Sequence, residues 1–271
     1  MTRIYGILAH PAGHSLSPAM FNAAFSEMGI DARYEIFDEP VLNTVKGLNA
    51  DLGGLSVSLP YKESVIEFLD EVSDDVKAIG ACNTVKIDGE IARGFNTDWV
   101  GFMEALHEKV ENVKDLNVIV LGAGGAARAI VYGLVKEGAK VVILNRTVEK
   151  AAKIVEDFAE IVLGGNEIKF GPLDEIDNYD CDILVQTTSA LFNDEEKTFV
   201  TDEFLQKNEP VVFDIVYKPL ITPLLQMAID NGCEIITGEK MLLNQAVKQF
   251  EIWFGKEAPR ETMNKAIKII F

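Results

Sequence analysis

Apolar β-branched runs alternate along the chain with stretches whose apolar residues recur at helical spacing, the pattern of an α/β protein. Ile4–Ala9 reads as the first strand. Ser17-Pro18 opens a helix, with Ser17 as N-cap, Pro18 in the first turn and Met20, Phe21, Ala24, Phe25 and Met28 as its apolar side; Gly29 ends it. Tyr34–Phe37 is a second strand and Leu55–Leu59 a third, closing at Pro60. Helices are expected near Lys62–Leu69 and over Asp74–Ile79. Asn83–Ile87 and Ile91–Phe95 read as a hairpin joined at Asp88-Gly89. A helix from Asp98 to about Val110 follows. Val118–Leu121, Val141–Leu144, Asp182–Thr187, Val211–Ile215 and Ile235–Thr237 are further strands, and Leu242–Trp253 and Thr262–Ile270 are amphipathic helices. A domain boundary falls near residues 97–115, and Asn193–Lys197 reads as a charged surface loop.

The strand at Val118–Leu121 runs into a glycine turn, Gly122-Ala123-Gly124-Gly125-Ala126-Ala127, then a helical segment, then the strand Val141–Leu144. Glycines at the turn of a strand–turn–helix–strand unit are the context a dinucleotide fingerprint requires. Gly122 permits the tight turn, Gly124 lets backbone approach a pyrophosphate, and Ala127 takes the small position where helix meets strand. The helix N-terminus offers free N–H groups to phosphate. An NAD site would place an acid after the second strand for the ribose hydroxyls. Here Asn145-Arg146-Thr147 stands instead, a cation and two hydrogen-bonding side chains suited to a 2′-phosphate, so the expected cofactor is NADP.

Composition narrows the class. The 271 residues are 48% hydrophobic, enough for two modest domains with buried cores. No apolar run reaches membrane-spanning length, and the N-terminus MTRIYGILAH lacks the order of a secretory signal, so a cytoplasmic protein with no membrane partner is expected. Net charge −18 argues against a nucleic-acid surface and requires local groups to hold an anionic ligand. Cys82, Cys181 and Cys233 are widely separated and read as small buried hydrophobes; His10, His14 and His107 have no ligand spacing, and no metal site is expected.

Polar residues collect at the ends of the apolar segments. Ser15 and Ser17 lie two apart after the first strand, able to donate together to a small carboxylate. Ser56 and Ser58 alternate at the end of the third strand, and Lys62 follows the turn. Asn83 lies in Gly80-Ala-Cys-Asn83-Thr84, Asp98 in Asn96-Thr97-Asp98, Tyr217 follows the strand ending near Asp214, and Asn244-Gln245 lies on a late helix. Singly, each has an ordinary structural reading, Asp98 as N-cap among them. Together a Lys, an Asp, amides and hydroxyls suit proton transfer to a polyhydroxylated substrate beside a nicotinamide.

These motifs, in this order and spacing, resemble the shikimate dehydrogenase family from end to end: HSLSP with Asn22 behind it, VSLPYKE, GACNTV, NTDWVG, GAGGAARAI, NRTVEKA, FDIVYKPLITPLL and GEKMLLNQAVKQFEIWFG. The resemblance implies an N-terminal α/β substrate-binding catalytic domain (residues 1–100, with helices of 240–271 returning to it) and a Rossmann-like NADP-binding domain (101–239) flanking a cleft. It implies Lys62 and Asp98 as the catalytic pair and Ser15 and Ser17 at the substrate carboxylate. Asn83 and Gln245 would meet ring hydroxyls with Ser56 and Ser58 beside them, and Tyr217 would lie near the carboxylate. Gly122, Ala123, Gly124, Gly125, Ala126, Asn145, Arg146, Thr147, Thr188, Ile215, Gly238 and Met241 would hold NADP. The implied reaction is reversible reduction of 3-dehydroshikimate to shikimate in aromatic amino-acid biosynthesis, by a monomer or homodimer. Alternatives are a dual quinate/shikimate dehydrogenase and a non-catalytic NADP-binding regulator of the same fold. Four departures stand out. Ser56 and Ser58 occupy positions where many members carry Asn and Thr. Ala9-His10 replaces a glycine-containing pair before Pro11, and Thr188-Ser189-Ala190-Leu191 lacks a glycine.

Overall fold

A computed structural model describes residues 2–13, 15–38, 51–159, 168–188 and 199–268. His14, Ser189-Ala190-Leu191, the expected loop Asn193–Lys197 and the last residues of the expected C-terminal helix lie outside the described residues. The chain divides into two units, Met1–Gly101 with Leu243–Phe271, and Phe102–Leu242.

The first unit begins with β1 (Arg3–Ala9), α1 (Ser17–Glu27), β2 (Ala32–Asp38) and β3 (Leu52–Val57). It continues through β4 (Glu71–Val72), α2 (Asp74–Ile79), β5 (Thr84–Asp88), β6 (Ile91–Phe95) and the start of α3 (Asp98–Leu106). Its mixed sheet has strand order β2-β1-β3-β5-β6-β4, with β1 parallel to β2 and β3, and β5 antiparallel to β3 and β6. Several local expectations change. Ser17 is not the N-cap of α1: Leu16 is, and Ser17 is buried in the first turn, its N–H donating to Ser15 Oγ at 3.3 Å. β3 ends at Val57, and the chain turns as Tyr61 N–H donates to Ser58 O, leaving Leu59 62% exposed. Only a 3-10 turn, Ser64–Phe68, forms where a helix over Lys62–Leu69 was expected, so Lys62 lies ahead of the turn and not at a helix N-terminus. In the hairpin Asp88 pairs with Ile91, and the loop is Gly89-Glu90 with Gly89 at φ 63°. Positive φ at the first loop position only is the II′ pattern, for which glycine is suited.

The second unit carries β7 (Asn117–Leu121), α4 (Gly125–Lys136), β8 (Lys140–Leu144), α5 (Val148–Asp157), β9 (Ile168–Gly171), β10 (Ile183–Gln186), α6 (Asp202–Asn208), β11 (Val211–Asp214), α7 (Pro223–Asp230) and β12 (Ile235–Ile236). Its sheet is parallel throughout, in the order β12-β11-β10-β7-β8-β9. Counted from β7 this is the 3-2-1-4-5-6 order of a Rossmann domain, with its topological switch between β7 and β10. Ile119, Leu121, Leu184, Val212, Leu224 and Leu225 meet in one buried core.

The chain then enters α8 (Gly238–Phe254) and α9 (Arg260–Lys268). From Leu243 onward these helices belong to the first unit, where α9 lies against α1. Phe250, Trp253 and Phe254 join Tyr5, Phe21, Phe25 and Tyr34 in an aromatic cluster, the Phe21 and Tyr34 rings stacking at 4.6 Å. Aromatic burial of this kind dominates core energetics.

Candidate active site

The centre of the first unit's polar cluster is an ion pair. Lys62 Nζ donates to Asp98 Oδ2 at 2.7 Å, and the side chains are only 13% and 6% exposed. The turn after β3 delivers Lys62, and its carbonyl accepts from Cys82 N–H at 2.7 Å. Asp98 is the first residue of α3, its own N–H donating to Asn96 Oδ1 at 3.0 Å, so it lies inside the helix and not at the N-cap position the sequence pattern left open to it. The Asp98 carboxylate is therefore free to face other side chains. Asn83 Nδ2 donates to Asp98 Oδ1 at 2.8 Å and to Thr97 Oγ1 at 2.9 Å. Asn83 Oδ1 accepts from Thr97 N and Thr84 Oγ1, both at 2.8 Å. Both amide hydrogens of Asn83 are thus spent within the fold, one of them orienting the carboxylate that holds Lys62. Burial pushes the nearby Cys82 thiol up to about 12, so it stays protonated and is no competing nucleophile.

The hydroxyl residues divide. Ser15 is half-buried at the start of α1, and Ser58 half-buried just beyond β3. Ser56 is buried, and its hydroxyl is engaged on both sides: Tyr34 Oη donates to it at 2.6 Å, and it donates to Gln249 Oε1 at 2.5 Å. Gln245 is buried on α8, where a Cβ on Gly101 would stand 2.6 Å from Gln245 N. Gly101 is what permits this close approach of α3 and α8. Its neighbour Asn244 accepts from Arg260 Nη1 at 2.5 Å and so is a structural brace.

In the second unit the glycine turn has the form the sequence pattern demands. Gly122 sits at φ 115°, and a Cβ there would lie 2.3 Å from Thr187 Oγ1 and 2.6 Å from Thr188 Cγ2, across the switch point. Gly124 is the N-cap of α4, and a Cβ added to it meets nothing within 4 Å. The first turn of α4 contains no acidic residue. An open approach to orphan N–H groups, with no acid in the first turn of the helix, fits a pyrophosphate, with Ala123, Gly125 and Ala126 in the same turn. At the end of β8, Asn145 Nδ2 donates to Thr147 O at 2.8 Å and shapes the turn, while Thr147 caps α5 by position without a side-chain bond. Arg146 is exposed, and among the described residues no group pairs with its guanidinium. These residues fit a 2′-phosphorylated dinucleotide.

The remaining cofactor expectations lie on the far half of the same sheet. A Cβ on Gly238 would stand 2.4 Å from Ile215 O, so glycine allows the start of α8 to press on the β11 turn that carries Ile215. Met241 is buried one turn along. Thr188 is turned inward, its N–H and hydroxyl both donating to Gln186 Oε1, at 3.0 and 3.2 Å. Tyr217 is half-buried beyond β11, and burial raises its hydroxyl pKa. It belongs to the second unit, unlike the other residues expected at the substrate.

Three participants escaped the sequence reading: Tyr34, Gln249 and Gln186. Tyr34 lies inside a strand, where a buried aromatic residue reads as a core position. Gln249 had one, since it follows Gln245 by four residues on a helix and shares its face.

An α/β pair of units, one bearing a buried lysine–carboxylate couple and the other a Rossmann sheet with a phosphate-binding turn, defines a dinucleotide-dependent oxidoreductase architecture. Comparison with known proteins makes this specific. Residues 7–85 match the family described as shikimate dehydrogenase substrate binding domain. Residues 104–223 match shikimate/quinate 5-dehydrogenase, and residues 238–268 the shikimate 5′-dehydrogenase C-terminal domain. The chain is 39% identical over 272 residues to the shikimate dehydrogenase (NADP(+)) of Aquifex aeolicus, covering 98% of this chain and 97% of that one. The crystal structure of shikimate 5-dehydrogenase from Thermus thermophilus in complex with NADP(H) and shikimate aligns with TM-score 0.86 and 32% identity, over 99% of this chain and 100% of that one. Quinate dehydrogenase from Corynebacterium glutamicum in complex with NAD aligns with TM-score 0.87 at 28% identity, over 98% of each chain. The chain belongs to the shikimate dehydrogenase family.

Proposed function

We propose that the protein is an NADP-dependent shikimate dehydrogenase that reduces 3-dehydroshikimate to shikimate reversibly, in the cytoplasm, where its free thiols stay reduced. The observation that carries this reading is the 2.7 Å Lys62–Asp98 pair, nearly buried and braced by Asn83, in a chain of this family. A regulator that only senses NADP would have no need of such a pair.

When bound, the reduced nicotinamide supplies the hydride that reaches the substrate carbonyl carbon. Charge then builds on the carbonyl oxygen, and Lys62 Nζ gives that oxygen its proton. An ammonium has three N–H donors. One is held by Asp98, which fixes the direction of the side chain. In the reverse direction Lys62 takes the hydroxyl proton. Ser15 and Ser17 hold the substrate carboxylate by hydroxyl donation. Gln245, with Ser58, addresses the ring hydroxyls, and Asn83 acts on them through Asp98. Arg146 recognises the 2′-phosphate, and its exposed guanidinium, without a partner among the described residues, supports NADP over NAD.

The second reading, dual use of quinate, is favoured by the quinate dehydrogenase likeness. Quinate adds a hydroxyl at the carbon bearing the carboxylate, beside Ser15 and Ser17. Steady-state assays with shikimate and quinate, each against NADP and NAD, test both. The expected result is the highest kcat/KM for shikimate with NADP. A kcat/KM for quinate equal to or above that value would replace this reading with the dual one.

A further inference from the structure

We infer that Asp38 is a positioning residue for the substrate carboxylate: it anchors the backbone at Ala12 and, through Ala12, fixes Ser15 with its hydroxyl proton left for the ligand. The inference rests on the functional reading above, which places Ser15 at that carboxylate.

β1 and β2 run parallel, and Ala9 pairs with Asp38 at their C-terminal ends. The chain leaves β1 there toward α1. Asp38 holds this exit with both oxygens. Oδ2 accepts from Ala12 N at 3.1 Å, and Oδ1 bonds His10 Nδ1 at 2.7 Å. A carboxylate can only accept, so His10 Nδ1 carries the proton of that bond. The Ala12 N–H, and after it the His10 ring, hold the Asp38 carboxyl below its ordinary pKa, so both oxygens are acceptors at neutral pH. His10, one of the departures from the family pattern, thereby has a task. Its ring steadies the carboxylate, and its own N–H donates to Leu59 O at 3.0 Å, in the turn that leads to Lys62.

The anchor is passed along the chain. Ala12 is 3% exposed, and its carbonyl accepts from Ser15 N at 3.1 Å. Ser15 Oγ accepts from Ser17 N at 3.3 Å. That amide takes a lone pair of the Ser15 hydroxyl and leaves its proton, for which no acceptor stands among the described residues. Ser17 differs, since it lies in the first turn of α1 and is held by the helix itself. Asp38 therefore acts through Ser15.

Electrostatics gives the inference a sign. Asp38 is an acid bonded to the segment that receives an anion. If its charge alone mattered, removing it would tighten the binding of an anionic substrate. As an anchor, its removal weakens the same binding.

The test uses the full-length enzyme with Asp38→Ala, Asp38→Asn, Ser15→Ala and the double variant Asp38→Ala/Ser15→Ala. Each is assayed for kcat and KM with shikimate and for KM with NADP, with a thermal unfolding scan. Asp38→Ala should raise the KM for shikimate about fivefold, the scale of one hydrogen bond, with kcat and the NADP KM nearly unchanged. Asp38→Asn should bind shikimate at least as well as the wild type, because its amide oxygen still accepts from Ala12 and its NH₂ donates to the other tautomer of His10. In the Ser15→Ala background, Asp38→Ala should add no further rise. A merely structural role would lower the unfolding temperature of Asp38→Ala and leave its KM unmoved, and that result overturns the inference. So does a lowered KM in Asp38→Ala, an Asp38→Asn variant as impaired as Asp38→Ala, or a full further rise in the double variant. A wild-type enzyme that does not turn over shikimate, or a Ser15→Ala variant with unchanged KM, overturns the functional reading and the inference with it.

Discussion

Replacing Asp98 by Ala should cost the first unit more stability than removing both members of its ion pair. Asp98 accepts from Lys62 Nζ at 2.7 Å and from Asn83 Nδ2 at 2.8 Å. Asp98→Ala strands an ammonium whose side chain is 13% exposed and an amide hydrogen in a buried site. Breaking a buried pair from one side typically costs about 3–5 kcal/mol. Lys62 keeps a partial path to water, which favours the low end of that range, and the unpaired Asn83 hydrogen adds to it, so about 3–4 kcal/mol is expected. The double variant Lys62→Met/Asp98→Ala removes the stranded charge and should recover about 1–2 kcal/mol of that loss. The assay is urea unfolding followed by tryptophan fluorescence. Both tryptophans, Trp99 and Trp253, lie in the first unit, so the signal reports the part that contains the pair. A double variant less stable than Asp98→Ala, or single-variant costs that add without coupling, would refute the account of the pair as one buried unit.

Lys62→Ala should lower kcat by about 10²–10⁴ while KM for shikimate changes little, since a proton donor acts mainly in the transition state; near-normal kcat in a folded variant would remove Lys62 from its role. Arg146→Ala should weaken NADP binding by about 1.5–3 kcal/mol and leave NAD nearly untouched, because in the proposed reading its guanidinium meets the 2′-phosphate; calorimetric titration showing equal loss of both cofactors would contradict this. Asp214 is 1% exposed, and burial raises its carboxyl pKa despite bonds from Thr222 Oγ1 and Val216 N. A carboxyl raised in the fold disfavours folding when ionised, so its cost is present at neutral pH and fades as pH falls through the folded value. Asp214→Asn should therefore compare best with the wild type at pH 7, and the advantage should shrink on acidification toward the carboxylate range; urea midpoints whose difference grows as pH falls would oppose it.

Much of this molecule is written in local pattern. The glycine turn between β7 and α4, the alternation of strands and helices, and the polar residues at the strand ends follow from short-range rules of backbone freedom and apolar periodicity. Gly122 illustrates why: its positive φ is a local demand that a sequence displays openly. Lys62, Asn83 and Asp98 could be picked out for the same reason, as polar side chains at the borders of apolar runs.

Tertiary structure alone decided which polar atoms meet. Asp98 could have been an N-cap, but it stands inside the first turn of α3, with its carboxylate held by Lys62 and Asn83. Ser17 lost its expected cap role because the helix already begins at Ser17, which leaves Leu16 at the cap position. Ser56 was legible as a hydroxyl near the site, but not as the middle of a chain between Tyr34 and Gln249, which lies 193 residues from it in sequence. The residue types and their strand or helix settings are local properties of the chain. A buried hydrogen-bond network depends on which elements pack together at a separation of a few ångströms, and on which donors have been used by then. Packing therefore assigns each of these atoms its partner.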